Sequence, residues 1–258
     1  MAFQRFIVLG DSYSEGMTDE IIDGKYRGWA DRVADVMAQA HSDFTYVNLA
    51  VRGKLIGQVV EDQVPTALTF ITGPDTLVSF HAGANDALRP GYQAHIAISL
   101  YQEAVRLIAK SGAQVMLFTV LERTGNKGKG AEIWEKRFSE FNKGVRAVGA
   151  EVGAIVVDAN EEQFLSDRRF LAFDRLHLNS TGHDRCAQAV LEKIGLPFDP
   201  TWRTPLPHAK KTPWIVEKAL TVAWFFIFAL PWIMRRIQGK SSGDGRSAKY
   251  PLPVSWPR

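Results

Sequence analysis

The sequence predicts an open α/β fold: a parallel sheet with helices on both faces. Three observations predict it. Apolar stretches of strand length alternate with longer stretches of helical periodicity from residue 3 to about residue 194. The first stretch, 3–9, is mostly apolar, contains Ile and Val, and is stopped by Gly10, as a buried strand would be. The second and third strands end in glycine turns at Gly53 and Gly83, so the turns gather at one edge if the strands are parallel.

The elements follow in order. After a turn at 10–16, residues 28–37 read as a helix, with Trp29, Val33, Val36 and Met37 at helical spacing. Residues 44–50 read as the second strand, 62–70 as a helix with Pro65 near its start, and 75–80 as the third strand. A long helix is expected over 92–111, with Ile96, Leu100, Ala104, Leu107 and Ile108 on its buried face. A fourth strand at 114–121, a helix at 133–152, a fifth strand at 154–157 and a last helix to about 194, capped by Ser180 or Thr181, complete the alternation. The glycines of 124–130 do not have phosphate-loop spacing, and the segment reads as a basic, solvated loop. Crossovers should be right-handed, and no internal repeat is present.

At 258 residues the chain can hold one sizeable domain and an appendage. Its single cysteine, Cys186, excludes an internal disulfide and fits a reducing compartment. The first apolar run reads as a strand and not as a cleavable leader, so a cytoplasmic protein is expected. The net charge of +3 hides an asymmetry: residues 197–258 carry ten Lys and Arg against three Asp and Glu, while the rest is mildly acidic. That distribution does not fit a nucleic-acid-binding domain. It suits a tail lying near an anionic surface, peripheral to the inner membrane face. No His/Cys/Glu cluster has metal-ligand spacing, so neither metal nor cofactor is expected.

Ser12, Gly53, Asn85 and the pair Asp174/His177 fall at strand ends or in one later loop, and each residue type meets a need of acyl transfer. A serine hydroxyl requires an adjacent base. His177 supplies one near neutral pH. Asp174, three residues earlier, orients the ring if a turn folds the carboxylate back. The backbone amides of Ser12 and Gly53 and the side-chain amide of Asn85 form a candidate oxyanion hole, each donor worth about 3–4 kcal/mol of barrier. Asp11 reads as a turn former and Asp86 as a supporting hydrogen-bonding residue. His81, His95 and His183 read as structural, with His81 near enough to the third strand end to line a pocket. Cys186 reads as a small buried hydrophobe.

Taken together, four blocks resemble the SGNH hydrolase superfamily, the GDSL-type esterases and lipases: Gly10-Asp11-Ser12-Tyr13, the glycine of Asn48-Leu49-Ala50-Val51-Arg52-Gly53, Gly83-Ala84-Asn85-Asp86, and Asp174-Arg175-Leu176-His177. Tyr13 stands where the family usually has leucine. The resemblance covers about residues 3–195. It implies a flavodoxin-like three-layer α/β/α sandwich with a five-stranded parallel sheet ordered 2-1-3-4-5. It also implies Ser12 as nucleophile, His177 as base, Asp174 as its orienter, and Ser12, Gly53 and Asn85 as oxyanion donors. The implied activity is a serine esterase or lipase-like acyl hydrolase acting on a small-molecule or lipid ester. A carbohydrate O-deacetylase, or a non-catalytic membrane-associated binding module, is the alternative.

The expected organisation is a hydrolase domain at 1–196, a proline-rich strap at 197–213, an apolar helix at 214–238 and a poorly ordered tail at 239–258. The run 219–234 is apolar on all faces and is flanked by Lys218 and by Arg235-Arg236. It is marginal for a membrane span. Three roles fit it: a cap over the site, a homodimer contact, or a membrane-interface helix with Trp214, Trp224 and Trp232 at the headgroups.

Overall fold

The computed structural model describes residues 3–122, 129–162, 166–209 and 212–256. Most of the expected basic loop, 124–128, lies outside the described residues. Strand β1 (Arg5–Gly10) leads into a single helical turn, α1 (Ser12–Glu15), then a small hairpin of β2 (Ile21–Ile22) and β3 (Lys25–Tyr26). Next come α2 (Gly28–Ala40), β4 (Thr45–Asn48), a helical segment built from α3 (Ile56–Gln58), a π turn (Val59–Gln63) and α4 (Val64–Leu68), and β5 (Thr76–His81). The short α5 (Ala84–Ala87), α6 (Ala94–Lys110), β6 (Gln114–Phe118), α7 (Lys129–Val152), β7 (Ile155–Val157) and α8 (Ser180–Lys193) follow.

The sheet runs β7-β6-β5-β1-β4, all parallel, which is the expected 2-1-3-4-5 order. Alternate residues of β1 explain the three layers, because neighbours along a strand point to opposite faces. Ile7 and Leu9 join Tyr101, Val105 and Ile108 of α6 and Phe141, Val145 and Val148 of α7. Phe6 and Val8 join Trp29, Val33 and Met37 of α2 and Val190 and Leu191 of α8. Gly10 ends the strand at a positive φ of 142°. A side chain there would run into the carbonyl of His81 on the neighbouring strand, so only glycine permits the turn that follows.

The structure departs from expectation in several places. The buried face of α6 carries Ala97, Tyr101, Ala104, Val105 and Ile108, whereas Ile96 and Leu107 are exposed. Tyr101 fixes this rotation by packing its ring on Phe80 and donating its hydroxyl to the Phe80 carbonyl at 3.2 Å. The cap of α8 is Asn179, whose side chain accepts from the Gly182 amide at 3.0 Å; Ser180 is already the first helical residue. The helical segment near Pro65 starts earlier, at Ile56.

The largest departure is the end of the chain. Residues 239–258, expected to be poorly ordered, supply a sixth strand, β8 (Tyr250–Ser255), antiparallel to β4 at the sheet edge. Local composition reads as disorder, but buried contacts decide otherwise. The Lys249 ammonium is buried against the Asp31 carboxylate at 2.7 Å and donates to the carbonyls of Tyr26 and Arg27. The Trp256 indole donates to Asp35 at 2.8 Å, and Tyr250 and Trp256 pack around Tyr46. Pro251 and Pro253 are tolerated because the strand is at an edge.

Between α8 and β8 the strap makes a 3-10 turn at Pro200–Arg203, with Trp202 buried. The apolar segment then forms α9 (Trp214–Trp224), a π turn (Phe225–Ala229) and α10 (Leu230–Ile237). Both π turns fall just before a proline, Pro65 and Pro231. A proline ring clashes with the carbonyl four residues back, and one widened turn absorbs the clash without breaking the helix.

Candidate active site

All the candidate residues lie at or beyond the carboxyl ends of the parallel strands, where an open α/β sheet presents its ligand crevice. Ser12 is the first residue of α1, directly after β1. Asp11 caps that turn, accepting from the Tyr13 amide at 3.1 Å. Asp174 and His177 sit in the loop before α8. A bridge between Leu171 and Leu178, the His177 carbonyl accepting from the Ala172 amide, and Arg175 in the left-handed region at φ 61° fold this loop back on itself. The Thr18 hydroxyl ties the loop to the segment after α1 by donating to the Leu178 carbonyl at 2.7 Å.

The geometry brings three of the candidates into one chain of hydrogen bonds. His177 Nε2 lies 2.9 Å from Ser12 Oγ. His177 Nδ1 lies 2.7 Å from Asp174 Oδ2. With the Nδ1 proton directed to the carboxylate, Nε2 is left to accept from the serine hydroxyl. Burial pushes the Asp174 carboxyl up, but the donors around it win: the His177 ring and the backbone amides of His177 and Leu176 hold it below the usual carboxylate range.

Asn85 is the second residue of α5, beyond β5, and its side-chain amide donates to Asp11 Oδ2 and to the Lys54 carbonyl, both at 3.1 Å. Gly53 lies in the loop after β4 at φ 74°, a conformation that favours glycine. Its neighbours are unexpected: Ser241, from the returning tail, donates its hydroxyl to the Gly53 carbonyl at 3.0 Å, and any side chain at Gly53 would strike Ser241. Asp86 accepts from the Ile56 amide at 3.0 Å, joining the Gly53 loop to the Asn85 turn; burial pushes its carboxyl up to about 6.

A cavity of about 240 Å³ opens beside Ser12, Asn85 and His177, with Phe118, Val120, Phe138, Phe170 and Leu176 among its walls. Gly53 and Asp174 do not line it. Tyr13 does; its hydroxyl lies 2.8 Å from Cys186 Sγ, and its ring packs 4.5 Å from that of His81. His81 also lines the cavity, with Nδ1 3.7 Å from Asp11 Oδ1. His183 is held neutral between the Trp29 amide, which donates to its Nδ1, and the Met17 carbonyl, which accepts from its Nε2; burial pulls it down to about 4. It also lines the cavity.

Besides the Ser241–Gly53 contact, two further contacts were missed by sequence reasoning. Asp11 positions Asn85, a role its place next to Ser12 could have suggested. The Trp224 indole donates to the Asp174 carbonyl at 2.8 Å. Nothing local to either residue signals that contact, since 50 positions separate them. Among the described residues, none of 214–237 lines the cavity; the helix rests against the loop bearing Asp174.

A profile of the GDSL-like Lipase/Acylhydrolase family matches residues 8–185. No curated protein sequence matches the chain. Among solved structures, the acetylxylan esterase Axe2 from Geobacillus stearothermophilus superposes with a TM-score of 0.62 at 16% identity, over 76% of this chain and 97% of that one. TesA superposes with a TM-score of 0.59 at 20% identity, over 74% and 98%. An α/β hydrolase from the Lake Arreo metagenome, LAE5, gives 0.62 at 16%, over 76% and 97%. At these identities the likeness is one of fold.

Proposed function

We propose that this chain, which belongs to the GDSL-like lipase/acylhydrolase family, hydrolyses carboxylic esters through an acyl-enzyme formed on Ser12. The hydrogen-bond chain from Ser12 Oγ through the His177 ring to the Asp174 carboxylate carries the reading. His177 takes the serine proton as Oγ attacks the ester carbonyl, while Asp174 steadies the imidazolium. The Ser12 amide and the Asn85 side chain stabilise the oxyanion, and the Gly53 amide joins them only if its loop turns toward the cavity that it does not line; Asn85 must exchange one of its present acceptors for the oxyanion. His177 then returns the proton to the departing alcohol. Water, deprotonated by the same ring, attacks the acyl-serine and releases the acid.

The apolar cavity walls favour an ester whose acyl part is hydrocarbon. A carbohydrate O-deacetylase is the second reading, since one structural neighbour is an acetylxylan esterase. Competing a p-nitrophenyl ester against acetylated sugars separates the two.

The test of the mechanism is direct. A fluorophosphonate should label Ser12 and stop hydrolysis of a short-chain p-nitrophenyl ester, and Ser12→Ala should abolish both. A Ser12→Ala variant that turns over normally would rule out Ser12 as the nucleophile, whereas unlabelled protein without ester hydrolysis would leave only a non-catalytic binding module.

A further inference from the structure

We infer that the helix spanning α9 to α10 is an interfacial anchor: it lies in the plane of an anionic phospholipid surface and does not cross it. The stretch Trp214–Arg235 is 22 residues with a mean hydropathy of 1.5, and none of its most apolar window is buried. At about 1.5 Å per residue it is about 33 Å long, enough to span a hydrocarbon core of about 30 Å. Length therefore does not decide its mode of contact. The two ends do. The chain before the helix is the hydrolase domain, and the chain after it returns to that domain. Ser241 bonds to Gly53, Lys249 is buried against Asp31, and β8 pairs with β4. A span would carry residues 238–256 to the far side and tear the sixth strand from the sheet. A helix lying in the interface leaves every one of these contacts in place.

The helix has two faces. Thr221, Trp224 and Phe228 turn to the protein: Arg175 donates to Thr221 at 3.1 Å, the Trp224 indole donates to the Asp174 carbonyl, and Phe228 packs 5.6 Å from Phe173. On the other side Ile215, Val222, Phe226 and Ile233 recur at intervals of seven, four and seven, and are 62%, 56%, 60% and 40% exposed. Lys218 stands within α9 between Ile215 and Val222, while Arg235 is in the last turn of α10 and Lys240 lies just beyond it, all in the part of the chain that carries the net positive charge. An apolar outer face with cations at its margins is complementary to acyl chains beneath anionic headgroups. Phe173 and Leu176, in the loop bearing Asp174 and His177, are also half exposed, and Leu176 lines the cavity. The apolar surface thus continues from the helix to the pocket mouth. It follows that the ester reaches Ser12 from a lipid layer; this corollary rests on the ester-hydrolase reading, whereas the surface contact does not.

Flotation of the full chain with vesicles tests it. Vesicles containing phosphatidylglycerol should carry the protein, and raised salt or pure phosphatidylcholine should weaken the binding. The pair Phe226→Asp and Ile233→Asp should lower partitioning about tenfold or more, with hydrolysis of a water-soluble ester unchanged as evidence that the variant is folded. A membrane-impermeant maleimide should label Ser247→Cys with and without vesicles, and Phe226→Cys only without them. Absence of flotation overturns the inference, as does a dimer that the Asp variants dissolve while vesicles bind neither form. Protection of Ser247→Cys by vesicles would mean a span. Flotation with no ester hydrolysis would sink the proposed function and leave the anchor standing.

Discussion

The indole of Trp224 and the carbonyl of Asp174 are joined by a hydrogen bond of 2.8 Å, which fastens the apolar helix to the residue that orients His177. The neighbouring Arg175 guanidinium lies 4.9 Å from the same indole ring. Trp224→Phe keeps the ring and removes the donor. A net bond of about 1 kcal/mol predicts a fall in kcat of about fivefold on a water-soluble ester, with KM little changed. A merely structural contact would lower the melting temperature and leave kcat alone.

Asp174→Asn should lower kcat by about 10³-fold or more, because the amide no longer enforces the tautomer in which Nε2 accepts the serine proton. Steady-state kinetics check this, and retained folding is read from circular dichroism. A loss below tenfold would remove Asp174 from the mechanism.

Asn85→Ala should cost about 10²-fold in kcat, the usual effect of deleting one oxyanion donor, with a small change in KM. A rise in KM at constant kcat would instead make Asn85 a substrate-binding residue.

Lys249→Met should destabilise the protein by about 3–5 kcal/mol, since it leaves the Asp31 carboxylate buried beside an apolar side chain. Burial already pushes Asp31 up to about 6 against the pull of Lys249. Adding Asp31→Asn should restore much of the loss. Urea denaturation of the single and double variants measures both.

His183 is held at about 4 in the folded protein, below its usual value near 6.5. The unfolded chain therefore takes up its proton first as pH falls, and folding stability drops between about pH 6.5 and 4. His183→Gln can keep both an acceptor for the Trp29 amide and a donor for the Met17 carbonyl. Relative to that variant, the wild type should lose about 3 kcal/mol from pH 7 to pH 4. Parallel pH dependences for the two proteins would contradict this.

What was legible in the sequence is what local pattern encodes. The buried run before Gly10 announced β1 because a strand covered on both faces has no polar side to interrupt it. Ser12 and Asn85 were readable because each follows closely on a strand end, and Asp174 and His177, in the later loop before α8, because they form a block that resembles the family's. Gly53 was readable as a glycine turn, but its contact with Ser241 was not. The illegible parts depend on partners distant in the chain. Tyr101 and Leu107 are both plausible core residues of α6 by spacing, and only the packing of Tyr101 on Phe80 sets the rotation. Residues 239–256 have a composition that reads as disorder, and their order comes from Asp31, Asp35 and Tyr46, more than 200 residues earlier.

Two of the six residues of β8 are prolines, and a proline offers no amide hydrogen to a neighbouring strand. Molecules gathered on a common plane meet one another far more often than in bulk, and an open sheet border would seed fibrous stacking there. Pro251 and Pro253 blunt that border, so crowding need not end in aggregation.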